Sequence, residues 1–214
     1  MIFLNFCGLL ILYSFAEPFF VYSAKRKFAS TKELGVIRSW ILTLFVAAYF
    51  SIESIFNTIP AIWRNISNIG NFTLQDSSRS VFACDLFIAL CITDIFLSLI
   101  RQYDLKIVEG LIHHVFYIVM LSYFKKNNFT NSFWLLCWNE IPTFLLALQH
   151  LKIFKMNRKI FAIIFLFIRV FAFVVYLCFF FGTLQYKQYV FTFPWAFAVL
   201  CAHLWWGKKL IEKL

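Results

Sequence analysis

Residues 80–100 read SVFACDLFIALCITDIFLSLI, with the carboxylates of Asp85 and Asp94 as the only charged groups in the run. A helix needs about 20 mostly apolar residues to cross the hydrocarbon core of a bilayer. This run therefore predicts a membrane-spanning helix. The same pattern recurs along the chain and predicts seven spans in all, over residues 2–23, 37–60, 80–100, 108–124, 130–151, 160–183 and 188–206.

The composition agrees with this prediction and excludes the common soluble classes. Of the 214 residues, 62% are hydrophobic and 14% are charged, whereas a soluble domain averages about 45–50% apolar and about 25% charged residues. Such high hydrophobicity also argues against intrinsic disorder. The six cysteines lie in apolar runs and form no C-x-x-C motif, so we interpret them as small buried residues. We predict an all-α fold, a polytopic helical bundle in a membrane.

Lysine and arginine predict the orientation of the bundle, because basic residues resist translocation across the membrane. Most of them lie in the connections after the first, third and fifth predicted spans and in the tail after the seventh. The N-terminus is therefore predicted to be lumenal and the C-terminus cytosolic. The glycosylation sequons at Asn65, Asn71 and Asn128 all fall on the lumenal side. We interpret the net charge of +10 as orientation signals and contacts with anionic lipids, not as a nucleic-acid surface.

The chain divides into three parts. Residues 1–32 hold the first span and a basic loop. We interpret this span as a membrane anchor rather than a cleaved signal peptide, because its basic cluster follows the apolar run. Residues 33–206 form one helical membrane domain, and residues 207–214 form a basic cytosolic tail.

Ionisable side chains inside the predicted spans are the candidates for function. Each costs about 2.5–3.5 kcal/mol to insert into a bilayer, and such groups usually face the interior of a bundle. Together with Asn139, these candidates are Glu17, Glu53, Asp85, Asp94, Glu109, His113, His114, Glu140, His150, Arg169 and His203.

Asp94 and His113 are predicted to lie at the same depth, about 10 Å inside the cytosolic boundary at a rise of about 1.5 Å per residue. The short connection between their spans predicts antiparallel neighbouring helices, so we expect an Asp94–His113 contact. A carboxylate bound to one imidazole nitrogen raises the basicity of the other nitrogen, which suits a general base or a nucleophile. His114 points about 100° away from His113. The alternatives are hydrogen bonds between helices and a metal site, which the absence of an H-x-x-x-H spacing disfavours.

Glu140 and Arg169 are predicted near the middle of the bilayer, about 15–18 Å from the cytosolic side. At this common depth they are expected to form an ion pair. A mid-membrane arginine needs such a carboxylate even without a function, so a purely structural role is the main alternative.

Four polar segments follow one another in a distinctive order: residues 91–94 (CITD), 101–104 (RQYD), 111–114 (LIHH) and 139–144 (NEIPTF). The ordered set of Asp94, His113, His114 and Glu140 resembles the TLC domain family, which includes the ceramide synthases and the translocating-chain-associated membrane proteins. The resemblance covers residues 33–206.

This resemblance implies a multi-spanning protein of the endoplasmic reticulum or a related endomembrane, with a helical bundle around a lipid-sized cavity. In ceramide synthases the histidine doublet belongs to an active site that transfers a fatty acyl group from acyl-coenzyme A to a sphingoid base. Carried over, His113 and His114 would be the catalytic residues and Asp94 a supporting carboxylate. The second acidic motif of the synthases, His-Asp and then another Asp, is replaced here by WNEIPT at residues 138–143. That segment is more similar to the non-synthase members, whose proposed roles lie in lipid sensing, lipid trafficking or membrane composition.

We therefore expect a protein that binds or processes a long-chain lipid in a cavity open to the cytosol. Its polar lining is predicted to be Asp94, His113, His114, Glu140 and Arg169, with Asn139, Glu140 and Arg169 binding the lipid. In a catalytic version acyl-coenzyme A is the co-substrate and no other cofactor is expected; the alternative is a non-catalytic lipid sensor, trafficking factor or regulator of membrane composition. The expected partners are membrane lipids and not nucleic acid, and a homo-oligomer is left open.

Overall fold

A computed structural model describes residues 1–25, 30–101, 107–183 and 186–214, and within these ranges the chain is helical with no β-strand. The α-helices of the described ranges are α1 (Ile2–Lys25), α2 (Thr31–Glu53), α3 (Ile59–Asn65), α4 (Ile69–Thr73), α5 (Ser78–Arg101), α6 (His113–Lys126), α7 (Asn131–Trp134), α8 (Glu140–His150), α9 (Arg158–Leu166), α10 (Phe173–Gly182) and α11 (Tyr186–Ile211).

Several of these helices are joined by turns of a different pitch. Segments of π-helix occupy Ser54–Thr58, Ile107–Ile112 and Phe167–Ala172, and segments of 3₁₀-helix occupy Ile66–Asn68 and Cys137–Asn139. As a result α2 leads into α3, and α9 into α10, without a loop.

Among the described residues, four helical stretches are long and apolar enough to cross a membrane: Ile2–Ser23, Glu33–Thr73, Ser78–Ile100 and Arg158–Gly182. They correspond to the first, second, third and sixth predicted spans. The all-α fold and its membrane-type helices are therefore confirmed. The other predicted spans are helical over most of their described residues but are not among these four stretches.

The continuous helix predicted over 130–151 is interrupted. Helix α7 ends at Trp134, a turn and the 3₁₀ segment Cys137–Asn139 follow, and α8 begins at Glu140. Pro142 explains the interruption, because proline has no N–H and its ring clashes with the carbonyl four residues earlier, here that of Trp138. The π-helical segment Ser54–Thr58 likewise lies shortly before a proline, Pro60, which has no N–H to donate to the carbonyl four residues earlier.

Contacts between helices fix the arrangement around the centre. Helix α2 packs against α8, where the rings of Trp40 and His150 stack with centroids 4.5 Å apart. Helices α5 and α6 are antiparallel neighbours as predicted, since Asp85 near the start of α5 pairs with Lys125 near the end of α6. Helix α1 packs against both α2 and α5, with an ion pair of 2.9 Å between Arg38 Nε and Glu17 Oε1.

A hydrogen-bonded network ties the connection after α4 to the connection after α6. The Asp76 carboxylate accepts hydrogen bonds from the backbone N–H of Thr130 at 2.9 Å and from its hydroxyl at 2.5 Å. The hydroxyls of Thr130 and Ser80 are 2.7 Å apart. These bonds hold the ends of four helices together at one side of the bundle.

Candidate functional site between the central helices

Asp94 contacts His114 and not the predicted His113. The distance from His114 Nε2 to Asp94 Oδ2 is 3.4 Å, and both side chains are largely buried. The expected Asp94–His113 contact is therefore wrong. The predicted depth could not show which of the two histidines contacts Asp94, because neighbouring residues differ by only about 1.5 Å along the helix axis. Their direction is set by the π-helical segment Ile107–Ile112 directly before them, whose wider turn rotates the following helix relative to a regular one.

The two histidines have different surroundings. His114 Nδ1 is buried and has no hydrogen-bond partner among the described residues. The ring of His113 instead packs edge-on against Tyr117, with centroids 4.7 Å apart, and against Trp206 at 5.2 Å. His113 and Tyr117 are four residues apart and therefore share a face of α6. The side chain of Glu109, another candidate residue, lies outside the described part of the structure.

Arg169 joins the interrupted helix to the π-helical segment Phe167–Ala172. Its Nε donates to the backbone carbonyl of Asn139 at 2.9 Å, and its Nη2 donates to Thr143 Oγ1 at 2.5 Å. The same Nη2 is 3.8 Å from Glu140 Oε1, so the predicted ion pair is present. The closest partners of the guanidinium are nevertheless neutral oxygens, namely the backbone carbonyl of Asn139 at the N-cap of α8 and the hydroxyl of Thr143.

His203 and Trp206 on α11 complete the surroundings of Arg169. His203 Nδ1 is 2.8 Å from the backbone carbonyl of Arg169, and since a carbonyl only accepts, this nitrogen carries the proton. The guanidinium carbon of Arg169 lies 5.8 Å from the Trp206 ring centroid, within the range of a cation–π contact.

Trp206 thereby connects the two halves of the predicted site, since it contacts His113 on one side and Arg169 on the other. We name the resulting group the central polar cluster and define it as Asp94, His113, His114, Asn139, Glu140, Thr143, Arg169 and Trp206. The structure brings all the predicted catalytic and lipid-binding residues into this one cluster.

A cavity of about 60 Å³ adjoins the cluster. On α6 its lining runs from Tyr117 to Phe124, which is about 10 Å of helix. The described lining residues come from α4, α6, α7, α8, α10, α11 and the interruption: Thr73, Tyr117, Met120, Phe124, Ser132, Phe133, Leu136, Asn139, Glu140, Tyr176, Leu177, Phe180, Thr192, Trp195, Ala196 and Val199.

The cavity differs from the predicted one in its position. Among the described lining residues, Glu140 is the only one of the five expected polar groups, and Asn139 lies beside it. Asp94, His113, His114 and Arg169 do not line it. The cavity extends along α6 toward Phe124, away from the histidines. The depth of each polar group could be predicted from the sequence, but its direction around the helix axis could not. The side chain of Arg169 is held by its hydrogen bonds to Asn139 and Thr143.

The two ends of the cavity differ in their polar groups. At the end near Thr73, the Thr73 hydroxyl donates to the carbonyl of Ile69 and is 3.1 Å from the Tyr176 hydroxyl. The Ser132 hydroxyl donates to the carbonyl of Thr73. At the opposite end, Asn139 is 7% exposed, and its Oδ1 has no hydrogen-bond partner among the described residues. Buried polar atoms are usually satisfied, so this oxygen distinguishes the Asn139 end.

Further buried polar groups lie outside the cluster. They are candidates from the sequence, but the residues that they contact were not predicted. Glu53 accepts hydrogen bonds from Trp134 Nε1 at 2.9 Å and from Asn57 Nδ2 at 2.8 Å. The Asp85–Lys125 pair belongs to the same group. The role of Trp206 was missed, and only its position one turn after His203 could have indicated it.

The described residues contain no group of three or more His, Cys, Asp or Glu side chains that could hold a metal ion. Comparisons of the chain with protein-family models, curated proteins and solved structures found no match. The similarity to the TLC domain family therefore stays a prediction from the polar segments.

Proposed function

We propose that this chain is a seven-span membrane protein of the TLC type that binds a long-chain lipid in the cavity beside the central polar cluster. The observation that carries the proposal is the cavity itself, which is mostly apolar and has polar groups at both ends, with Asn139 and Glu140 at one of them. Ligand sites combine an apolar wall with a few polar groups in this way. Small-molecule sites usually measure about 300–1,000 Å³, so a bound lipid would have to widen the cavity or extend out of it.

The proposed topology has a lumenal N-terminus and a cytosolic C-terminus, in the endoplasmic reticulum or a related endomembrane. Contacts between the ends of helices support a chain that crosses the membrane in alternating directions. Glu33 at the start of α2 pairs with Lys152 after α8 at 3.0 Å, and the backbone N–H of Gly70 donates to Thr183 Oγ1 at 2.7 Å. In this orientation the cavity occupies the lumenal half of the bundle and the histidines lie on its cytosolic side.

The proposal is tested by filling the cavity. Val199 lines it and is 9% exposed, so Val199→Phe should expel a bound lipid. Val175 on α10 is 39% exposed and does not line the cavity, which makes Val175→Phe the matched control. The wild type and both variants are purified in detergent, and their retained lipids are quantified by mass spectrometry. We expect Val199→Phe alone to lose a specific lipid; equal retention by all three proteins would contradict lipid binding in this cavity.

Acyl transfer is the second candidate function, and the Asp94–His114 contact favours it. If His114 donates Nε2–H to Asp94, its Nδ1 holds the lone pair of a general base. Such a base would take the proton of an acceptor hydroxyl or amine as that group attacks the thioester carbonyl of acyl-coenzyme A, and the C–S bond would break to release the thiol. The histidines do not line the cavity, so this version needs a second opening toward the cytosol.

The double variant His113→Ala, His114→Ala separates the two functions. Cells that express the wild type or this variant at equal protein level are compared by lipidomics. A lipid product that forms only with the wild type would favour acyl transfer. Unchanged lipid profiles, together with a lipid that co-purifies with both proteins, would favour a non-catalytic lipid sensor, trafficking factor or regulator of membrane composition.

A further inference from the structure

We infer that the cavity selects an uncharged lipid whose buried end carries a hydroxyl group, and that Asn139 Oδ1 accepts the hydrogen bond from that hydroxyl. This inference rests on the proposed lipid-binding function and adds the chemical class of the ligand. Three observations about the Asn139 end of the cavity carry it.

The first observation is the free acceptor. Asn139 lines the cavity, is 7% exposed, and has a side-chain oxygen with no partner among the described residues. Its side chain makes no capping hydrogen bond to α8 although it occupies the N-cap position. A buried acceptor without a partner is costly, and a ligand hydroxyl would remove that cost.

The second observation is the charge balance. Glu140 also lines the cavity, but its Oε1 is 3.8 Å from Arg169 Nη2. The carboxylate therefore already has a counter-charge beside it before any ligand arrives. A cationic or an anionic head group would therefore find no unpaired opposite charge at this end. Either one would also lose its hydration on entering the cavity. A neutral head group avoids that cost.

The third observation is the opposite end of the cavity. There the hydroxyls of Thr73 and Ser132 already donate to backbone carbonyls, and the Tyr176 hydroxyl lies 3.1 Å from that of Thr73. The remaining lining is mostly apolar, with Leu136 and Val199 among its residues, and it also includes Tyr117 and Thr192. We therefore expect the hydroxyl of a ligand to bind at Asn139 and its hydrocarbon chain to extend toward Thr73.

Four probes with the same hydrocarbon chain test this selectivity: hexadecanol, its methyl ether, hexadecanoate and hexadecylamine. Binding to the purified full chain in nanodiscs is measured by competition against radiolabelled hexadecanol, and for the ether also directly. The alcohol and the ether share their chain and differ in the donor hydrogen, so the wild type should prefer the alcohol by about five-fold or more, the ratio expected from one net hydrogen bond. The acid and the amine should bind more weakly than the alcohol.

The variant Asn139→Leu keeps a side chain of similar size and removes the acceptor. It should bind the alcohol and the ether equally. Val199→Ala, which shortens an apolar side chain of the wall and so enlarges the cavity, should change the affinity for both probes by the same factor and keep the preference for the alcohol. The comparison of probes on the wild type stands even if Asn139→Leu fails to fold.

The inference is overturned if the wild type binds alcohol and ether equally, if the acid or the amine binds most tightly, or if folded Asn139→Leu keeps the preference. In each of these cases the chain still binds a lipid, so the proposed function is not contradicted. If no probe binds to the wild type, the proposed function fails together with the inference.

Discussion

The guanidinium of Arg169 binds the main-chain carbonyl of Asn139, with Nε and O 2.9 Å apart, at the point where Pro142 interrupts the helix. In a bilayer an irregular backbone is tolerated only where protein or water satisfies its polar groups. Arg169 contributes a charged donor to the carbonyl of Asn139, the N-cap residue of α8, and Glu140 balances its charge. One arginine thus ties the start of α8 to the π-helical segment Phe167–Ala172 at the Asn139 end of the cavity.

Replacing Arg169 by Met should therefore lower the free energy of unfolding by about 3–5 kcal/mol, because it leaves the Glu140 carboxylate unpaired and removes the hydrogen bonds to Asn139 and Thr143. Arg158 at the exposed start of α9 provides the matched control, and Arg158→Met should change stability by less than about 0.5 kcal/mol. Unfolding of both variants is measured in mixed detergent micelles. Equal stability of the two variants would contradict the assigned contacts.

Asp94 should be coupled to His114 and not to His113. Two double-mutant cycles measure this, one with Asp94→Asn and His114→Gln and the other with Asp94→Asn and His113→Gln. We expect a coupling energy of about 1 kcal/mol in the first cycle and one near zero in the second, since residues in direct contact couple by about 0.5–3 kcal/mol. A larger coupling in the second cycle would restore the original expectation from the sequence.

The neighbouring lysines at the end of α6 should differ strongly in their contribution to stability. Lys125 pairs with Asp85, which is 2% exposed, whereas Lys126 is exposed. Lys125→Met should cost about 3 kcal/mol, because it leaves a buried carboxylate without a counter-charge, and Lys126→Met should cost less than about 0.5 kcal/mol. Chemical unfolding of both variants provides the comparison, and similar losses would show that Asp85 does not depend on Lys125.

Gly207 marks a close approach between α11 and α9. A Cβ at this position would lie 3.0 Å from Leu166 Cδ2, whereas one at Gly8 would meet no atom within 4 Å. Gly207→Val should therefore destabilise the protein by about 1–3 kcal/mol through overpacking. Gly8→Val should be neutral or slightly stabilising, because glycine is a poor residue in the middle of a helix. Thermal unfolding of the two variants distinguishes them, and a stable Gly207→Val protein would mean that Leu166 moves aside freely.

The sequence predicted those features that depend on composition and depth. Long apolar runs predicted the four membrane-type helices, and the mid-bilayer depth of Glu140 and Arg169 predicted their pairing. The interruption before Glu140 could have been predicted as well, since Pro142 cannot continue the preceding helix.

Direction around a helix axis was harder to predict. A regular α-helix was assumed up to His113, and the π-helical segment before it changed which histidine faces Asp94. The cavity could not be predicted at all, because it depends on how side chains from several distant segments fill their common space.

The Arg169 contact uses a main-chain oxygen, and no mutation can remove that atom from position 139. The architecture at the interruption is therefore insensitive to which side chain Asn139 carries. Relatives of this chain could exchange that residue and acquire a new ligand preference while the helices stay where they are.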